Sequence, residues 1–251
     1  MPAIAGDYQY QALHHGRRLQ RAWHRMRCVA ARRVLDGIGP QAVLDAGCGS
    51  GIMLRAVCAP GMAVSGVDLN AACIAFAAKY LEDLQPRLSV AGIADTGAAP
   101  CSQDLVLCCE VLEHVPLDYA ATALRHFHEI LAPGGHLYLT VPNSRSTWVL
   151  IECVLDAFGV VPALKGVQHV CRHTRRSMRG MVEASGFEIE RMGTFNLVSP
   201  FVGSMGCRAG EWLLGLELGW LCCGGNLLYV LARKTPRGNS GIRGCASPCC
   251  C

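Results

Sequence analysis

No Cys-x-x-Cys pair occurs anywhere in the chain, although it carries 16 cysteines in 251 residues. A structural zinc is therefore not expected. The N-terminus MPAIAGDYQY lacks an apolar stretch behind a basic one, so no secretory leader is read there and a reducing, cytoplasmic setting is expected. In that setting Cys48, Cys58, Cys73, Cys101, Cys108, Cys109 and Cys153, which sit in apolar patterns, serve as small hydrophobes. Aromatic residues are scarce, with 4 Trp, 6 Tyr and 6 Phe, too few for a visible base-stacking platform, and nucleic acid is not the expected partner. Long uninterrupted apolar runs are missing too. Glu152, Asp156, Glu211 and Glu217 break the two most apolar stretches, which excludes a membrane-spanning helix there. A prenylation signal would need Cys fourth from the end, where Pro248 stands.

The length suits one large domain with a full core. The net charge of +4 is mild, yet the bases are uneven: seven arginines and no acid lie between Arg17 and Arg33. Leu19, Trp23, Met26, Ala30 and Val34 recur at helical spacing among them, so residues 1–40 are expected to form a basic amphipathic segment, helical from Leu13 to Ile38. Its arginines read as a solvated face, with an anionic acceptor or membrane surface as the alternative. Residues 41–235 carry the main domain, and the Gly-, Ser-, Pro- and Cys-rich tail over 236–251 is expected to be disordered.

The main domain opens on VLDAGCGSG, Val43 to Gly51, which reads as strand, turn and helix start. Gly47, Gly49 and Gly51 let the backbone bend tightly and approach a nucleotide-like ligand, with Cys48 between them. A second strand, Ala63 to Val67, ends at Asp68, roughly twenty residues past the turn, where it reaches a ribose diol. Leu69 beside it can cover an adenine face. A helix from Ala71 to Leu84 leads to a strand over Leu88 to Gly92, with Asp95 just beyond. Asp104 to Val115 reads as a buried strand whose outgoing loop carries Glu110, Glu113 and His114. A helix from Leu117 to Leu131 stops at Pro133-Gly134-Gly135, and further strands follow at His136 to Asn143, Phe187 to Met192 and Asn226 to Ala232. This alternation predicts an α/β, doubly wound sheet.

Asp45 separates two ligand classes. A carboxylate at the strand end would repel a pyrophosphate, whereas it favours a ligand carrying an ammonium and a sulfonium. The third glycine also falls one residue early for G-x-G-x-x-G, where Ile52 stands. From Ala42 to Ala232 the chain resembles the class I S-adenosylmethionine-dependent methyltransferases of the small-molecule group, through VLDAGCGSG, VDL, Asp95, DLVLCCEVLEHV, LAPGGHLYLTVPN and HVCRHTRRSMRGMVEASGF. The resemblance implies a Rossmann-like sheet of seven strands with the last antiparallel. It also implies that Asp45, Gly47, Cys48, Gly49 and Gly51 bind the methionine part, Asp68 the ribose, Leu69 and Asp95 the adenine, and that Cys109 and Glu110 line the floor near the methyl group.

Methyl transfer to a hydroxyl needs positioning and a way to remove a proton. Glu110, Glu113 and His114 form E-x-x-E-H, and His169 follows in a loop expected at the same end of the sheet. Together they form a candidate set for a divalent ion such as Mg²⁺, similar to that of ubiquinone-pathway catechol O-methyltransferases and of enzymes that methylate the terminal ribose of small RNAs. Without a metal, His114 or His169 is the candidate base; the bland alternative is that the motif only caps a helix. Two apolar insertions, near 145–165 and 199–223, read as helical covers over the site, the first with Trp148 and Phe158 on one face. They point to a small-molecule or lipid-linked acceptor and to peripheral contact at the inner membrane face, or else to packing on each other or a homodimer contact.

Overall fold

Apolar runs that end in Asp, Gly or Asn form one sheet, and the helices between them cover its two faces. The computed structural model describes residues 5–146, 170–219 and 224–235. Strands β1 (Ala42–Ala46), β2 (Ala63–Asp68), β3 (Arg87–Val90), β4 (Gln103–Cys109), β5 (Leu131–Pro142), β6 (Phe187–Phe195) and β7 (Leu227–Lys234) lie in the order β3-β2-β1-β4-β5-β7-β6. Pairings from β3 through β5 are parallel, and β7 runs antiparallel to both neighbours. Successive strands leave β1 in opposite directions, so the crevice at the carboxyl ends of β1 and β4 is the topological switch point, where such sheets bind ligands.

The helices are α1 (Tyr8–His14), α2 (Arg18–Val34), α3 (Ile52–Val57), α4 (Ala71–Tyr80), α5 (Leu117–Ile130), α6 (Arg175–Ala184), α7 (Ser199–Met205) and α8 (Cys207–Gly219). Alternation along β4 divides the core: Leu105, Leu107 and Cys109 face one cluster with Met26, Ala30, Tyr138, Phe195 and Leu214, and Val106 and Cys108 face the other with Leu124, Phe127 and Val182. Asp104 ties the start of β4 to its neighbour, accepting from the Gln41 and Ala42 amides at 2.9 Å each.

Several boundaries depart from expectation. The helix expected from Leu13 to Ile38 is two helices, broken between His14 and Arg18, where Gly16 packs against the Ala12 carbonyl and the Gln20 side chain. Pro133-Gly134-Gly135, expected to stop α5, lies instead inside β5: the helix already ends at Ile130 and the strand starts at Leu131, which pairs with Gln103 before a register shift. Of the insertion near 199–223, the described residues 199–219 form two helices that cross where Gly210 meets the Gly203 backbone. Strand β7 completes the sheet from inside, between β5 and β6. Among the described residues no helix is long and apolar enough to cross a membrane. The insertion near 145–165, His169 and the tail lie almost wholly or wholly outside the described residues.

Candidate functional site

The glycine turn is fastened to β2 before any ligand is considered: the Gly47 and Cys48 amides donate to the Val67 carbonyl at 2.8 and 2.9 Å. Gly47, Gly49 and Gly51 have φ of 90°, 50° and 81°, which L side chains adopt only with strain. Their lack of a side chain also serves the protein's own packing. A Cβ at Gly47 would stand 2.3 Å from a Val111 methyl, and one at Gly51 would meet Leu81 at 2.7 Å. Only Gly49 faces a polar neighbour, Gln9 of α1, whose side-chain oxygen also accepts from the Ser50 amide at 3.3 Å. Close backbone approach at Gly47 and Gly51 is therefore to the loop after β4 and to α4.

The acids expected at strand ends do fall around this turn. Asp45 is buried and its Oδ1 has no hydrogen-bond partner. Burial, and then the Asp68 charge, push its carboxyl up to about 7, while Arg27 pulls it back. Asp68, at the tip of β2, accepts from the Gly49 amide at 2.9 Å and the Asn70 amide at 2.8 Å, and a carboxylate has lone pairs left for a diol. Leu69 is 76% exposed, unusual for a large apolar side chain and suited to covering a flat ring. Asp95 is exposed, and Cys48 and Cys109 are buried. Burial raises the Cys48 and Cys109 thiols, which stay neutral. A buried carboxylate with an orphaned oxygen, one strand end away from Asp68, fits a cationic nucleoside such as S-adenosylmethionine.

The loop after β4 carries the reactive groups. Glu110 adopts φ 57° and its amide donates to the Thr140 carbonyl at 2.7 Å, which turns its side chain at the strand end. The Arg27 guanidinium of α2 stands against it, Nε to Oε1 at 2.5 Å, an ion pair rather than an aligned hydrogen bond. Burial raises the Glu110 carboxyl and Arg27 opposes that rise. Arg27 is itself 8% exposed, and its Nη1 donates to His24 Nδ1 at 3.1 Å. Burial and Arg27 lower His24 to about 3, so its ring is neutral with the proton on Nε2. Glu113 is 3% exposed with Oε2 unpartnered, and burial, then Glu110, push it up to about 8.

His114 is half exposed, its Nε2 3.9 Å from Glu113 Oε1. The backbone after His169 reaches the same loop, since the Val170 and Cys171 amides donate to the Glu113 carbonyl at 2.8 and 3.1 Å. Among the described residues no three His, Cys, Asp or Glu side chains gather as a metal set. The expected ligands Glu110, Glu113 and His114 are neighbours in one loop, but Glu110 is engaged by Arg27.

Three contributors went unread in the sequence: Gln9, His24 and Arg27, which with Cys28, Ile52 and Met53 line a small cavity beside the start of α3. The signal for Arg27 was present. It falls with Trp23, Met26, Ala30, Ala31 and Val34 on the apolar stripe of α2, not opposite it. The arginines exposed as expected are Arg17, Arg18, Arg21, Arg25, Arg32 and Arg33.

The profile of a family described as "Methyltransferase domain" matches residues 16–192. The ubiquinone biosynthesis O-methyltransferase of Thiobacillus denitrificans is 32% identical over 172 residues, covering 67% of this chain and 72% of that protein. That of Serratia proteamaculans is 32% identical over 136 residues, covering 51% and 55%. The chain thus spans about half the length of several curated relatives it matches. In fold it is similar to the magnesium protoporphyrin IX methyltransferase of Synechocystis, solved with bound SAH, with a TM-score of 0.58, 18% identity, and coverage of 86% of this chain and 87% of that one.

Proposed function

The chain belongs to the class I S-adenosylmethionine-dependent methyltransferases, and from that membership we propose that it methylates a hydroxyl oxygen of a small, lipophilic, phenol-like acceptor. The observation that carries the proposal is the row of acids at successive strand ends, Asp45, Asp68 and Glu110, around the glycine turn.

Asp45 receives the ammonium of the methyl donor, Asp68 its ribose hydroxyls, Asp95 its adenine amine, and Leu69 covers the ring. When bound, S-adenosylmethionine supplies a methyl carbon activated by positive sulfur, so the new O–C bond forms as the S–C bond breaks and its electron pair stays on sulfur. Cys109 and Glu110 line the methyl end and exclude water from it. His114 takes the acceptor's proton and passes it to solvent, its imidazole being half exposed. The similarity to O-methyltransferases of ubiquinone biosynthesis supports oxygen as the atom, and the resemblance of E-x-x-E-H to the catechol O-methyltransferases supports a phenolic acceptor.

The lipophilic character is supported by the outer face of α7 and α8. Phe201, Met205 and Trp212 are 37%, 82% and 65% exposed, with Arg208 between them and Arg18 and Arg21 on the adjoining α2. An apolar patch edged by fixed cations complements an anionic phospholipid surface, from which a lipid-linked acceptor would be drawn. Flotation with vesicles of phosphatidylglycerol and phosphatidylcholine should carry the protein at low salt. Met205→Glu with Trp212→Glu should leave it behind, and equal flotation of the two proteins would remove the membrane contact.

The activity itself is tested by incubating the protein with methyl-labelled S-adenosylmethionine and a lipid and metabolite extract, then identifying the product by mass spectrometry. An O-methylated lipophilic product is expected. Label on nitrogen or carbon, or none despite bound cofactor, overturns the proposal.

A further inference from the structure

We infer that Arg27 supplies the positive charge at the acceptor end of the site, in the place that the E-x-x-E-H pattern would otherwise give to a divalent ion. This role presupposes the O-methyl transfer proposed above.

The residues of the motif do not fit a metal as they stand. A divalent ion on Glu110 needs that carboxylate free, whereas the Arg27 guanidinium is set against it at 2.5 Å. The second carboxylate, Glu113, is buried behind it, and His114 turns a half-exposed ring toward solvent. An ion bound here would lie a few ångströms from a cation that cannot shed its proton.

Nor can Arg27 easily leave. Its helix buries Ala22, Met26, Ala30, Ala31 and Val34 in the core. Exposed arginines pin it on both sides: Arg25 pairs with Glu211 at 2.7 Å, Arg33 Nη1 donates to the Glu211 carbonyl at 2.6 Å, and Arg32 Nε donates to the Ala56 carbonyl at 2.6 Å. A guanidinium held this way is a preorganised cation. It keeps N–H donors beyond the one that His24 accepts, and these suit an oxygen that has lost its proton. Arg27 thus balances Glu110 while the acceptor is absent and faces the acceptor's oxyanion when it is present.

Two measurements that need no turnover test this. The first is a Mn²⁺ titration followed by the electron-spin signal of the free ion, run on the full chain and on Glu110→Gln. No Mn²⁺ bound through Glu110 is expected; stoichiometric binding that Glu110→Gln abolishes overturns the inference. The second uses nitrocatechol, a coloured phenol whose anion absorbs apart from its neutral form.

The full chain should bind the dye as its anion, shifting its ionisation about tenfold, unchanged by chelator. Arg27→Lys should keep most of that shift, and Arg27→Met and Arg27→Gln should lose it, each variant first shown to be folded by circular dichroism. Equal shifts in the neutral variants, or no bound anion in the unmutated chain, overturn the role of Arg27. Labelled-product formation tests the transfer separately, so the two proposals fail independently.

Discussion

A buried Asp45 with its carboxyl pushed up to about 7 makes the site sensitive to pH near neutrality. The sign follows from linkage. The folded, cofactor-free chain holds a proton on Asp45 that the unfolded chain gives up near its ordinary value, so this residue costs no stability below about pH 4 and progressively more up to about pH 7. Asp45→Asn should therefore raise the melting temperature at pH 7.5 by several degrees, leave it nearly unchanged at pH 4, and abolish cofactor binding. Calorimetry on the unmutated protein should show affinity for the cationic cofactor falling as pH drops through about 7.

Gly47 is a second residue whose role is decided by its neighbour. Alanine there would put a methyl 2.3 Å from Val111 at φ 90°, so Gly47→Ala should cost about 2–4 kcal/mol in urea unfolding. Adding Val111→Ala should relieve the clash but not the backbone strain.

At the scale of elements, the hairpin of α7 and α8 hangs on one buried acid. Glu217 accepts from the Val198 and Ser199 amides at 2.7 and 2.8 Å, from the Leu197 amide at 3.3 Å and from Ser199 Oγ at 2.8 Å, which meets the orphan donors at the start of α7. Glu217→Gln should destabilise by about 1–3 kcal/mol and Glu217→Ala by more, and amide exchange should accelerate first in α7.

In the sequence this glutamate read as an interruption of an apolar run; only the turn at Gly206 brings residues 18 to 20 apart into contact. The parallel strands were legible because burial on both faces leaves near-continuous apolar runs, as in Leu105 to Cys109. The acids at their ends were legible because strand ends converge at the switch point. The burial of Arg27 could be read from its place on the apolar stripe of α2, but its pairing could not, since Glu110 lies far along the chain and helical spacing carries no record of what a helix packs against. The glycines were read as space for a ligand, and for Gly47 and Gly51 the space belongs to Val111 and Leu81.

For the whole molecule, α1 and α2 close over the end of the sheet where the cofactor is proposed to bind: Gln9 reaches the glycine turn, Arg27 reaches Glu110, and Tyr10 packs on Phe76 and Tyr80 of α4. Cofactor binding and global stability should then be linked strongly. At 100 times its dissociation constant, S-adenosylmethionine should add about 2.7 kcal/mol, a rise of roughly 5–10 °C for a chain of this size. Differential scanning fluorimetry checks this, and Asp45→Asn should show no rise.

The placement of β7 has a consequence in time. Strand β6 pairs only with β7 in the described sheet, and β7 is the last of these seven strands to leave the ribosome. Until residues 227–234 emerge, β5 and β6 both expose unpaired edges, and the core formed by Tyr138, Phe195 and Leu214 lacks Tyr229 and Leu231. The nascent chain can assemble β1 to β4 early, but the side of the sheet formed by β5, β7 and β6 can close only after residues 227–234 have emerged.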